Sequence, residues 1–228
     1  MVASDVSSRY TRRNPREYQK VVDYIQRIVS ARRGNYMVFL PSYQYLKAIE
    51  AILEGRSELE QDFVCRSQAS HMSEQEREEF LEEFSEEREN TFVALCVMGG
   101  VFSEGIDLKE GRLIGAIIVG TGLPMVCTEQ EILKGYFDAR EQNGFDYAYQ
   151  YPGMNKVMQA AGRVIRTVKD EGVIALLDER FLKPDCQALF PREWDGYYEV
   201  QLKNVGEVVK DFWSRQKSDT PHSIKACP

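Results

Sequence analysis

Three short stretches of this sequence carry residue types that could do chemistry. In the first, GGVFSEGIDL (Gly99 to Leu108), three glycines fall within seven residues around Ser103, Glu104 and Asp107. Such a loop lets backbone approach a ligand closely and holds carboxylates beside it, although a tight turn at a sheet edge would use the same glycines. In the second, QAAGRVIR (Gln159 to Arg166), helical spacing puts Met154, Met158, Ala161 and Ile165 on one apolar stripe and Gln159, Arg163 and Arg166 nearly opposite. That polar stripe is either a solvated face or a phosphate-facing one. Gly162 inside it costs a helix about 1 kcal/mol relative to alanine, which suggests a close approach there. Paired guanidiniums that stay charged and fork toward phosphate oxygens are what phosphoryl transfer asks of arginine fingers. In the third, NYMVFLPSYQYL (Asn35 to Leu46), Ser42 and Tyr43 follow an apolar run and Pro41. A hydroxyl and free amides at a strand-to-helix turn can hold a backbone phosphate, and an aromatic beside them can stack on a base. Ser42 also suits a helix N-cap, and the two roles are compatible.

The elements that must position these residues alternate. Val21, Val22, Tyr24, Ile25, Ile28 and Val29 recur at helical spacing after Asn14 and Pro15, with Gly34 as the expected stop. The continuous run Tyr36 to Leu40 predicts a strand buried on both faces, hence a parallel sheet. The unit then repeats: a helix over 43–53, a strand over 62–66, an acidic helix over 73–90, strands over 91–98 and 113–119, helices between 128 and 167, and a strand over 172–177. This pattern implies βαβ crossovers and a site at the carboxyl ends of the strands.

Composition narrows the functional classes. The chain has 228 residues, 43% hydrophobic, with a formal charge of −7, which argues against a protein that coats nucleic acid nonspecifically while leaving room for a basic groove. The acidic excess sits in the glutamates of 74–89 around Phe80, Leu81 and Phe84, as expected of a solvated helix with a thin apolar stripe. Arg9, Arg12, Arg13, Arg16, Lys20, Arg27, Arg32 and Arg33 form the counterweight, either facing phosphates or decorating a helix. The five cysteines are scattered, without a CxxC pair, and predict no metal site. There is no apolar run long enough for a membrane span and no secretory leader, so a cytoplasmic location without membrane partners is expected. Residues 1–8 and 216–228 are polar and are expected to be flexible ends around one domain, 9–215.

The order VFLPSY, GGVFSEGIDL and QAAGRVIRTVKDEGVIALLDERF, together with SSRYTRR, YFDAR and FDYAYQYPG, closely resembles the second motor domain of superfamily 2 helicases of the DinG/XPD type. The resemblance implies a RecA-like three-layer α/β/α fold with a mainly parallel central sheet. It also implies an ATP-dependent DNA helicase in which Arg163 and Arg166, with Gln159, reach the γ-phosphate of ATP. Glu104, Gly105 and Asp107 would line the same cleft, Ser42, Tyr43 and Ser103 would lie on the track of single-stranded DNA, and Asp178 and Arg180 would brace the motif helix. The sequence has no GxxxxGK[ST] phosphate loop, no DEAH-like box for magnesium and no substitute for the cysteines that hold an iron–sulfur cluster in the other motor domain of many relatives. The resemblance therefore implies that ATP and Mg²⁺ are held mainly by a first motor domain, the partner of this one, and that this chain alone is inactive. The alternative is a catalytically silent RecA-like module kept for nucleic-acid or protein binding.

Overall fold

The computed structural model describes residues 1–56, 63–84, 89–102, 112–165 and 170–218. Among them, seven strands form one sheet: β1 (Val2–Ala3), β2 (Asn35–Leu40), β3 (Phe63–Ser67), β4 (Thr91–Val97), β5 (Gly115–Val119), β6 (Val173–Leu177) and β7 (Glu199–Val200). Their order is β3-β4-β2-β5-β6-β1-β7, and every pairing is parallel. Helices cover both faces, giving the three-layer architecture. On one face α1 (Pro15–Val29), α2 (Tyr43–Glu54) and α7 (Val205–Ser218) bury residues such as Ile25, Ile49 and Val209 against Val38 and Ile117. On the other, α3 (Glu74–Glu82), α5 (Tyr151–Ala161) and α6 (Pro184–Gln187) bury Phe80, Val157 and Cys186 with Met37 and Ile118, whereas α4 (Thr128–Asp138), which precedes α5 in the chain, buries none of its residues. The central β2 is buried at all six positions, as its unbroken apolar run requires.

Local chemistry explains most boundaries. Asn14 accepts hydrogen bonds from the Arg16 and Glu17 amides, Pro15 occupies the first turn, and the six apolar residues of α1 named above are all buried. The acidic α3 opens with a reciprocal capping box between Ser73 and Glu76. Its apolar stripe is narrow: Phe80 stacks on Phe102 at 4.5 Å, and Phe84 meets Phe92 edge-on at 5.0 Å. Gly34 plays a different role from the expected helix stop. α1 already ends at Val29, and a Cβ at Gly34 would lie 2.3 Å from Cδ1 of Ile114, so the glycine lets β2 start under that side chain.

The amino-terminal end departs from its expected flexibility. Residues 2 and 3 form a strand hydrogen-bonded on both sides, to β6 and β7, and Val6, Ser7 and Ser8 are buried. The polar composition misled because Ser8 is buried with its amide and hydroxyl both bonded to Asp178, and the buried Ser7 donates its amide to Glu17. Most of the other end, 219–228, lies outside the described residues.

Candidate functional site

Five segments meet at the carboxyl edge of the sheet. After β2, the Ser42 Oγ accepts the Tyr45 amide at 3.2 Å and caps α2. The Tyr43 hydroxyl donates to the Ala69 carbonyl at 3.2 Å and accepts from Gln68 Nε2 at 2.9 Å, while Gln68 Oε1 accepts the Val97 amide. Burial, then the neighbouring Cys96 thiol, raise the Tyr43 hydroxyl above its ordinary pKa and keep it a donor. After β4, Gly99 takes a left-handed turn (φ +73°), and a Cβ there would press on Lys156 Cδ and Cε at 3.2 Å. After β5, Gly120 and Gly122 also have positive φ. A Cβ on Gly122 would sit 2.5 Å from the Gly153 carbonyl oxygen, and one on Gly153 would sit 2.6 Å from that of Thr121. Gly122 and Gly153 thus let the β5 loop and α5 touch backbone to backbone, while Gly120 makes room for the Ser8 side chain, 2.5 Å from where its Cβ would lie.

After β6, Asp178 is fully buried and saturated. It accepts from the Ser8 amide (2.8 Å) and Oγ (2.7 Å), from the Arg180 amide (2.9 Å), and from Arg180 Nε (2.8 Å) and its terminal nitrogen (2.9 Å). Burial pushes its carboxyl pKa up, but the bonds from Arg180 and Ser8 outweigh it and hold the group below the usual carboxylate value. Among the described residues this pair ties the end of β6 to the segment after β1; residues 166–169 of the motif it is expected to brace lie outside them.

Between these segments runs a groove of about 210 Å³, lined by Arg9, Arg13, Lys156 and Arg180, by Pro41, and by the backbone of Gly120 to Gly122. Among the described residues no carboxylate lines it. Arg180 is neutralised by Asp178, and Arg9 approaches Glu179 at 3.7 Å. Arg13 lies over the rings of Tyr10 and Tyr45 at 5.4 and 5.3 Å, and Lys156 has no acidic partner among the described residues. The groove therefore keeps a positive surplus suited to phosphate. Lys156 and Thr121 escaped the sequence reading; the Gly-Thr-Gly triplet closing a strand was the signal for the loop.

The motif helix differs from its expected form. α5 stops at Ala161, and Gly162 caps it with an ordinary right-handed φ of −65°. The Arg163 and Val164 amides bond the Ala160 and Ala161 carbonyls, tightening the last turn. Val164 turns inward to 4% exposure, over Gly172, whose Cβ would lie 2.1 Å from Val164 Cγ1, and Ile165 is 41% exposed. The two-stripe pattern therefore does not continue through Arg163 to Ile165, and Val164 replaces Ile165 as the core residue. Gln159 is exposed on α5, one turn beyond Lys156, and Arg163 is half-buried just past the helix. Ser103, Glu104, Gly105, Asp107 and Arg166 lie outside the described residues. No group of three or more His, Cys, Asp or Glu side chains capable of holding a metal occurs among the described residues, nor does any helix there reach the length and apolarity of a membrane span.

Residues 25–197 match the family model described as helicase C-terminal domain. The chain is 28% identical over 213 residues to the ATP-dependent DNA helicase CHL1 of Yarrowia lipolytica, covering 80% of this chain and 26% of that protein. It is 34% identical over 130 residues to the regulator of telomere elongation helicase 1 of Mus musculus, covering 53% of this chain and 11% of that one. A solved XPD helicase structure superposes with a TM-score of 0.70 at 22% identity, over 88% of this chain and 34% of that one, a likeness of fold. The chain thus spans about a quarter or less of the length of these curated relatives.

Proposed function

Because the chain belongs to the helicase C-terminal domain family, we propose that it is the second motor domain of an ATP-dependent DNA helicase of the DinG/XPD type. In this reading a first motor domain holds ATP and Mg²⁺, and Arg163 and Arg166, with Gln159, stabilise the charge that develops on the γ-phosphate. The groove of Arg9, Arg13 and Lys156 beside Ser42 and Tyr43 carries the backbone of single-stranded DNA. ATP supplies the free energy for translocation; the residues of this chain orient and neutralise the phosphates on either side.

The observation that carries the reading is the course of α5. Lys156 on its exposed side lines the cationic groove, while Gln159 and Arg163 stand at its carboxyl end. One rigid element thus connects the residues assigned to DNA with those assigned to ATP, as a motor that couples the two requires.

The test uses the complete helicase, first motor domain included. Arg163→Ala should cut kcat for ATP by on the order of 10³, and Arg163→Lys should be nearly as damaging, because a point charge cannot reproduce the planar fork. Wild-type turnover and unwinding in both variants, with the fold intact by circular dichroism, would reduce the domain to a binding module.

A further inference from the structure

A second cavity opens beside the groove. It measures about 240 Å³ and shares Thr121, Leu123 and Arg180 with the groove's wall, so one continuous ligand could occupy both. The two differ in chemistry. Where the groove is cationic, this cavity is lined by the apolar Leu123, Phe145 and Met154, by Asn143 and Asp146, and by charges of both signs such as Lys183 and Asp185. The Phe145 ring is stacked on Tyr149 at 5.4 Å, yet it remains 43% exposed where it borders the cavity. Among the described residues the Asn143 carboxamide and the Asp146 carboxylate make no side-chain hydrogen bond or ion pair, although neighbouring polar side chains are engaged, such as Gln150, whose Nε2 donates to the Asp185 carbonyl.

We propose that this cavity takes one nucleobase turned out of a strand whose phosphates lie in the groove. The inference rests on reading the groove as the DNA track. A volume below the ~300 Å³ at which sites for drug-sized ligands begin suits a single base. Phe145 and the Met154 thioether offer a face for stacking, the usual way an unpaired base is held. Asn143 presents a donor and an acceptor in one plane, and Asp146 presents acceptors alone, so together they match a base edge bearing an amino group. Thymine presents two carbonyl oxygens flanking a single N3–H donor and has no amino group, so it satisfies this pair less fully. The cavity should therefore favour cytosine, adenine or guanine over thymine, giving a domain that grips phosphates indifferently a modest preference for base identity.

The experiment measures binding of the full 228-residue chain, at low salt, to fluorescent oligodeoxynucleotides of equal length: oligo(dC), oligo(dT) and a wholly abasic strand. Oligo(dC) should bind on the order of tenfold more tightly than the abasic strand, with oligo(dT) between them. Phe145→Ala should erase that dependence on the base while leaving the abasic strand bound as before. Asn143→Ala, which disturbs no aromatic packing, should bring oligo(dC) down to the level of oligo(dT). Equal binding of all three strands by the wild-type chain overturns the base site and leaves the track reading standing. A base preference unchanged in both variants also overturns it. Failure of every strand to bind at low salt removes the track reading and this one together. Competition by free dCMP as strong as that by oligo(dC), nucleotide for nucleotide, would mark a mononucleotide pocket and overturn the strand assignment.

Discussion

Two polar regions lie side by side at the carboxyl edge of the sheet and share the Arg180 side chain, yet they are built on opposite principles. The Ser8–Asp178–Arg180 cluster closes on itself: five hydrogen bonds converge on one carboxylate with no exposure. The groove and the cavity beside it leave the side chains of Lys156, Asn143 and Asp146 without hydrogen-bond or ion-pair partners among the described residues. A buried polar group with every bond made fixes backbone geometry, because loss of any partner exposes the full cost of desolvation. An accessible group with bonds unmade costs the fold little and keeps its bonding capacity for a ligand. The closed cluster ties the segment after β1 to the end of β6, and so holds Arg9 and Arg13 where the open groove needs them.

The largest effect that could break this contrast is at the closed cluster. Asp178→Ala leaves the mostly covered Arg180 guanidinium without its counter-charge, and breaking such a pair costs about 3–5 kcal/mol, or roughly 6–20 °C in Tm for a domain of this size. Thermal melts in which the variant stays within a degree of wild type would mean that the cluster does not hold the fold. The same carboxylate sets a pH dependence. Its pKa is lower folded than unfolded, so its stabilisation is complete above the unfolded value of about 3.9 and is lost as pH falls through the folded value. Asp178→Asn should flatten that part of the acid limb below about pH 4, seen as a smaller drop in denaturation midpoint between pH 5 and pH 3.

The open groove should respond in the reverse sense. Lys156→Gln should leave stability within about 0.5 kcal/mol. It should weaken single-stranded DNA binding and lower the slope of log K against log salt by about 0.7, the value for one phosphate contact on a single strand. Titrations at three salt concentrations check it; an unchanged slope would remove Lys156 from the DNA path and sharpen the contrast around Arg13 instead.

The two regions also differ in how far the sequence disclosed them. The alternation of apolar runs gave the parallel sheet, because burial on both faces leaves an unmistakable composition in β2 and β4. The Ser42 cap was equally legible, since capping is local. Both ends of the closed cluster were named in the sequence, but not their pairing: Ser8 and Asp178 are 170 positions apart, and no local pattern says that a two-residue strand will insert between β6 and β7. Lys156 was illegible for another reason. A lone lysine on a helix face looks the same whether it faces solvent or a groove, and what distinguishes this one is the left-handed turn at Gly99 that clears space for its stem. Helical periodicity overreached at Arg163, where it projected a straight helix through the turn in which Val164 drops inward.

The smallest effect concerns the end of that helix. Gly162 has a right-handed conformation open to any residue, and among the described residues a Cβ there would meet only backbone of its own helix, the Met158 oxygen at 3.3 Å and the Gln159 oxygen at 3.7 Å. Alanine should gain up to about 1 kcal/mol from helix propensity and a stiffer unfolded chain. The slightly tight contact with the Met158 oxygen offsets part of this, so Gly162→Ala in the 228-residue chain should be neutral or stabilising by less than about 1 kcal/mol by urea denaturation. Within this chain, then, nothing described requires a glycine. If the residue serves a close approach from the first motor domain, the same substitution in the complete helicase should lower ATP turnover while the stability of this chain holds. Full turnover there would make Gly162 a helix stop and nothing more, placing it with the closed, structural region, whereas a loss of turnover without loss of stability would place it with the open one.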